Sequence, residues 1–218
     1  MDLIEGLIKC KIPQACVSEL AQKMELYINE IILFNSAYNL TNTSDHDELA
    51  VRHIFDSLAA YEIINYYAAK ADCFLIGDIG SGGGLPGIPL AAAMPKVQFN
   101  LVERMTKRCA FLENCVAILG LKNVKVICSE AEKVLPQSFD LITFRAFRPL
   151  DEKMTKTLLA MVKKGGLLCA YKAKLENIKE EMNGIKQLVA ETEYEIKKLE
   201  VPYLEDSERN LVVIKNGI

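Results

Sequence analysis

The residues most able to do chemistry lie between two apolar runs, in Asp78-Ile79-Gly80-Ser81-Gly82-Gly83-Gly84-Leu85-Pro86-Gly87. Glycines let the backbone turn tightly and let a ligand approach the main chain without interference from Cβ. Pro86 suits the first turn of a following helix, whose N–H groups would point toward that ligand. A triphosphate loop would need lysine where Ile88 stands, so that use is excluded. A dinucleotide loop, G-x-G-x-x-G, is satisfied by Gly82, Gly84 and Gly87. Carboxylates Asp78, Glu103 and Glu132 and the cation Arg145 fall at or just beyond apolar runs, where they suit ribose hydroxyls, an amino group or a cationic ligand.

A second pattern fits the same loop. Asp78, Gly80, Gly82 and Gly84 form D-x-G-x-G-x-G, which resembles the first motif of Rossmann-like methyltransferases. Asp78, at the end of the first strand, fits the methyltransferase pattern better than the dinucleotide one. The methyltransferase register is therefore preferred.

These groups need elements to position them. The stretch to about Ala69 reads as helical. Leu20, Met24, Tyr27, Ile28, Ile31 and Ile32 follow the spacing of one buried helix face, with Ser18 as its expected cap, and a second helical stretch runs from about Asp47 to Tyr67. His53 and Asp56 are three apart on one face of it. From Asp72 on, short apolar runs alternate with helices. Expected strands are 73–79, 97–102, 124–128, 139–144 and 167–171, the last preceded by a Gly165-Gly166 loop, followed by 193–199 and 210–215. The fold class is α/β: a mostly parallel seven-stranded sheet covered on both faces, with an antiparallel edge. Residues 1–70 are expected to form a helical extension and residues 71–218 the main domain.

The combination of segments is more specific than the loop. Asp78–Pro89, Leu101–Leu112, Phe144–Phe147 and Ala170–Lys172, with Tyr38–Thr41 and Arg52–Leu58, resemble the RsmG (GidB) family, bacterial 16S rRNA guanine-N7 methyltransferases. The likeness spans about Phe34 to Lys172; Ala173 stands where the family usually has glycine. It implies a Rossmann-like class I methyltransferase fold and S-adenosylmethionine as cofactor. Gly80 and Leu85 would lie against that cofactor, and Ala131 and Glu132 beside its adenine. Asp78, Gly82, Gly84, Glu103 and Arg145 complete the expected cofactor set. Arg145, His53, Asp56 and Lys172 are the expected positioning residues for the reaction, with no general base assigned.

The target atom follows mainly from the resemblance. No cysteine follows the fourth strand to attack a pyrimidine, and Thr143-Phe-Arg-Ala-Phe147 replaces the Asn/Asp-Pro-Pro segment typical of amine methylation. Guanine N7 has an available lone pair and needs no prior deprotonation. Net charge is −3, yet Arg104, Lys107, Arg108, Arg145, Arg148, Lys172 and Lys174 gather after strand ends. Arg104, Arg108, Arg148 and Lys172 are the expected RNA contacts; Lys107 and Lys174 read singly as ordinary solvated charges. Phe144 and Phe147 could stack a splayed base, although such residues are more often core.

Seven cysteines without a C-x-x-C pair, and two histidines without zinc spacing, imply neither metal nor disulfides, and the thiols read as small apolar filler. No membrane span or signal sequence is evident. The expected setting is the cytoplasm, the expected partner the small ribosomal subunit, and the expected state a monomer. Alternatives from the residues alone are methylation of another RNA or a small molecule, an NAD-dependent oxidoreductase, or a cofactor-sensing module.

Overall fold

The computed structural model describes residues 1–70, 74–146, 150–185 and 193–217. Helix α1 (Leu3–Lys9) is capped by Asp2, whose carboxylate accepts from the Ile4 and Glu5 amides. Helix α2 (Gln14–Tyr38) buries Val17, Leu20, Met24, Tyr27, Ile28 and Ile31 along one face. Ser18 is therefore not its cap. The helix starts four residues earlier, after Pro13, and Ser18 lies exposed within it. Asn39 ends the helix in the left-handed conformation, at φ 48°.

A continuous helical segment then runs through α3 (His46–Leu49), a π-helical turn (Ala50–Phe55) and α4 (Asp56–Leu58), followed by α5 (Tyr61–Ala68). The sequence pattern predicts this stretch as one helix. The structure breaks it at Ala59–Ala60 and inserts the π turn.

Strands and helices alternate thereafter: β1 (Leu75–Ile79), α6 (Gly87–Ala93), β2 (Gln98–Glu103), α7 (Thr106–Ile118), β3 (Val124–Cys128), β4 (Phe139–Arg145), α8 (Glu152–Met161), β5 (Val162–Lys172), α9 (Leu175–Gly184), β6 (Tyr194–Lys198) and β7 (Asn210–Lys215). Cys73, expected to open the first strand, lies outside the described residues. Gly165 and Gly166, expected to be a loop, lie inside β5. The β4–β5 register shifts between Phe139 and Leu141, and a Cβ on Gly166 would stand 2.5 Å from the Asp140 carbonyl. Gly166 thus admits a close approach of the two strands, and Gly165 takes a left-handed conformation at φ +76°.

The seven-stranded sheet has the order β3-β2-β1-β4-β5-β7-β6. β1 to β5 pair in parallel, and β7 inserts antiparallel between β5 and β6. One face packs on α1, α2, α5, α6 and α7 through residues such as Met24, Phe55, Ile88 and Phe111. The other packs on α8 and α9 through Leu158, Met161, Ile178 and Met182. Alternation along β5 divides Leu167, Cys169 and Tyr171 from Leu168 and Ala170. Strand order reverses between β1 and β4, so their carboxyl ends open the crevice in which such sheets bind ligands.

Candidate active site at the sheet switch point

The glycine loop leaves β1 and is tied to the end of β2. The amides of Gly80 and Ser81 both donate to the Val102 carbonyl, at 2.8 and 3.1 Å. Glu103, the last residue of β2, accepts from the Gly82 amide at 2.9 Å and the Met105 amide at 2.8 Å. From below, the Tyr27 hydroxyl donates to the Gly83 carbonyl.

The glycines divide by role. Gly82 has φ +57°, and a Cβ there would come no closer than 3.8 Å to its neighbours; it lines the cavity. Gly84 has φ +94° and faces inward, where a Cβ would meet Ile88 at 2.5 Å and the Tyr27 hydroxyl at 2.9 Å. Gly84 is not among the residues that line the two cavities at the loop, and it packs inward.

Asp78 also faces inward. It is fully buried, and its Oδ2 accepts from the Gly87 amide at 3.0 Å, so it caps α6 from beneath. Its Oδ1 has no hydrogen-bond partner among the described residues, and burial pushes its carboxyl up to about 7. The helix start expected to face a ligand instead spends its amides internally, Gly87 on Asp78 and Ile88 on the Gly84 carbonyl.

Two cavities meet at the loop. The larger, about 820 Å³, is lined by Gly80, Gly82, Leu85, His53, Arg145 and Lys172 among others. The smaller, about 200 Å³, is lined by Gly80, Glu103, Arg104, Ala131 and Glu132, with Ala146 and Arg108 shared between the two. Their combined space suits a nucleoside-sized ligand. Leu40 to Thr43, after α2, also line the larger cavity, so the N-terminal segment builds part of its wall. Asn35 holds that segment by accepting from the Leu40 and Thr41 amides, each at 2.9 Å.

Arg145, His53 and Asp56 come together at the end of β4. Arg145 Nη1 donates to Asp56 Oδ2 at 2.6 Å and to the Arg52 carbonyl at 2.9 Å. Its Nη2 lies 2.9 Å from His53 Nδ1, which must accept, because a guanidinium has no acceptor. Arg52 and His53 stand in the π turn, and Asp56 follows it directly. The guanidinium thus satisfies a main-chain carbonyl of the widened turn. Burial, then the Arg145 and Arg52 charges, push His53 down to about 4, so it is neutral at pH 7.

The expected RNA contacts are placed unequally. Arg104 is exposed beside the smaller cavity. Arg108 instead reaches across to donate to the Asn39 carbonyl at 3.0 Å, clasping α7 to the end of α2. Lys172 lies 2.6 Å from Glu181, its side chain only 14% exposed. Lys107 and Lys174 are exposed. Phe144 is 1% exposed and packs in the core, the commoner place for such a residue. Arg148 and Phe147 lie outside the described residues.

Sequence reasoning missed Arg209. Its Nε donates to Asp56 Oδ1 at 3.1 Å, so Asp56 holds two guanidiniums, and Arg209 lines the larger cavity. The available signal is its place as the lone cation in Glu205-Asp-Ser-Glu-Arg-Asn210. Tyr27 was legible only as part of an apolar face.

A family model described as "rRNA small subunit methyltransferase G" matches residues 20–212. The chain is 37% identical to "Ribosomal RNA small subunit methyltransferase G" of Treponema denticola, over 98% of this chain and 93% of that protein. It is 35% identical to the protein of the same name from Neisseria meningitidis serogroup B, over 91% and 90%. Among solved structures, the plantazolicin methyltransferase BpumL in complex with SAH superimposes with a TM-score of 0.60 at 14% identity, covering 91% of this chain and 99% of that one. A SAM-dependent methyltransferase from Aquifex aeolicus gives 0.55 at 18% identity, over 78% and 93%. At these identities the likeness is one of fold.

Proposed function

Because the chain belongs to the rRNA small subunit methyltransferase G family, we propose that it methylates N7 of a guanosine in 16S rRNA, with S-adenosylmethionine as methyl donor. Membership in a methyltransferase family sets aside the oxidoreductase reading, as does the antiparallel insertion of β7 in place of an all-parallel dinucleotide sheet.

The observation that carries the choice of atom is the state of the groups lining the larger cavity. Glu48 is paired with Arg52 at 3.0 Å, Asp56 with Arg145 and Arg209, and Glu181 with Lys172. His53 is neutral and, at about 4, a weak proton acceptor. Among the described residues, each carboxylate on this wall is engaged by a cation. Such a site positions a nucleophile and does not deprotonate it, which suits a ring nitrogen with a free lone pair.

The residues present fit the cofactor. Bound S-adenosylmethionine supplies an electrophilic methyl group. The open Gly80–Gly82 backbone admits the methionyl part, Glu103 stands where ribose hydroxyls would be held, and Ala131 and Glu132 flank the smaller cavity suited to adenine. Leu85 closes the floor, and Arg145, kept in place by Asp56 and His53, orients cofactor or base. Arg104, exposed beside the smaller cavity, serves the RNA backbone, whereas Lys172 is held by Glu181.

No helix among the described residues is long and apolar enough to cross a membrane. We read the protein as a cytoplasmic monomer. Residues 1–70 are read as a helical extension that walls the cleft of a transferase domain, residues 71–218.

The test is incubation with labelled S-adenosylmethionine and small ribosomal subunits from cells lacking the modification, followed by nucleoside analysis. Label in 7-methylguanosine is expected. Label in another nucleoside overturns the N7 assignment, and inert subunits and inert bare rRNA together overturn the substrate.

A further inference from the structure

Apart from the reaction cavity, two cysteines meet at the start of α7. Cys109 is in the first turn of that helix, and Cys128 ends β3. Their Sγ atoms are 2.7 Å apart, closer than unbonded sulfur atoms ordinarily pack, where a disulfide bond needs about 2.05 Å. The surrounding backbone fixes this approach. Cys128 is the register partner of Glu103 across β2 and β3, and the Cys109 thiol donates to the Glu103 carbonyl at 3.2 Å. Both sulfurs therefore sit over one rung of the sheet. Cys109 is buried and Cys128 is exposed, so one member of the pair is open to reagents from solvent and the other waits behind it.

We propose that Cys109 and Cys128 are an oxidisable dithiol, a modification site at which a low-molecular-weight disulfide converts the pair to an intrachain disulfide. The order of events follows from exposure. The Cys128 thiolate attacks one sulfur of the small disulfide and expels the first thiol, leaving a mixed disulfide. The Cys109 sulfur then displaces the second thiol from Cys128, its proton passing to the departing thiolate. Two protons and two electrons leave the protein, and one small disulfide is reduced to two thiols. Burial, reinforced by neighbouring Cys128, pushes the Cys109 thiol up, so the first attack falls to the exposed Cys128.

The position gives the bond a consequence for its surroundings. Ser129, Ala131 and Glu132 follow Cys128 and line the smaller cavity, and the Ser129 amide donates to the same Glu103 carbonyl at 2.9 Å. A bond from Cys109 to Cys128 would tie α7 to the segment forming that wall.

The experiment exposes the full, reduced chain to oxidised glutathione, traps remaining thiols with an alkylating agent, and maps unreduced peptides by mass spectrometry. The expected product has lost two hydrogens and yields one crosslinked peptide joining Cys109 to Cys128, released by dithiothreitol. Cys128→Ser, at an exposed position, should abolish the crosslink. Cys16→Ser, which removes the other exposed cysteine among the described residues, should leave it intact. Glutathione retained on Cys128, alkylation of both residues at the level of untreated protein, or a crosslink that joins other cysteines would each overturn the proposal.

Discussion

Asp56 binds Arg145 through Oδ2 at 2.6 Å while its other oxygen holds Arg209 at 3.1 Å, and its side chain is only 6% exposed. One carboxylate thus balances two guanidiniums from β4 and from the strand-connecting loop before β7. Removing it leaves two partly buried guanidiniums without their shared counter-ion. Asp56→Ala should cost about 3 kcal/mol of stability, the scale for breaking a buried pair. Asp56→Asn, which keeps the shape, should lower single-turnover methyl transfer by roughly 10- to 100-fold through misplacement of Arg145. Thermal unfolding and a rapid-quench assay check the two, and unchanged turnover in Asp56→Asn would remove Arg145 from the positioning set.

The glycine loop offers a second test because its glycines serve different ends. Gly84→Ala forces a Cβ into Ile88 and the Tyr27 hydroxyl at φ +94°, and should cost about 2–4 kcal/mol. Gly82→Ala makes only ordinary van der Waals contacts, at 3.8 Å or more, at φ +57°, so its stability cost should stay near 1 kcal/mol. Its cofactor affinity should nevertheless fall, because the new methyl group stands in the cavity. Urea unfolding and calorimetric titration with S-adenosylmethionine separate the pair. Equal losses of stability would contradict the division of roles.

Asp78 predicts a pH dependence with a definite sign. Its folded carboxyl is raised to about 7 by burial, against about 3.9 when unfolded. Its contribution is therefore fully present below about pH 4 and is lost as pH rises toward 7, where the native state must release the proton into a buried site. His53 acts in the opposite sense, since its depressed value removes stability as pH falls from about 6.5 to 4. Asp78→Asn isolates the first effect and keeps an acceptor for the Gly87 amide. Its stability relative to the parent should increase between about pH 4.5 and 7 in urea titrations. A constant difference across that range would rule out a buried titration at Asp78.

Much of this site was legible because its signals are local. The run from Asp78 to Pro86 carries its turn chemistry in adjacent glycines, and β1 to β4 announce themselves as short apolar runs with the helices between them. What was not legible depends on contacts distant in sequence or on a single residue of helical winding. A 3.6-residue pattern does not encode the π turn at Ala50–Phe55, yet that turn places Arg52, His53 and Asp56 around Arg145. Arg209 joins Asp56 across 153 residues, and β7 inserts between β5 and β6, so neither pairing has a local mark. Arg108 shows the converse. Its position after a strand reads as a rim cation, but its guanidinium reaches the Asn39 carbonyl because α2 ends beside it.

The distinction between Arg104 and Arg108 gives the last prediction. Arg104 is exposed, so Arg104→Ala should weaken binding to the small subunit and reduce the salt dependence of that binding by about one counterion, without altering stability. Arg108→Ala removes a clasp between α7 and the end of α2, together with part of the wall shared by both cavities. It should lower stability by about 1–2 kcal/mol and cofactor affinity as well, because the Leu40–Thr43 wall loses its tether. Filter binding at several salt concentrations, beside calorimetry with S-adenosylmethionine, measures both. If Arg108→Ala changed only the salt slope, its role would be that of an RNA contact after all, and the tether would be incidental.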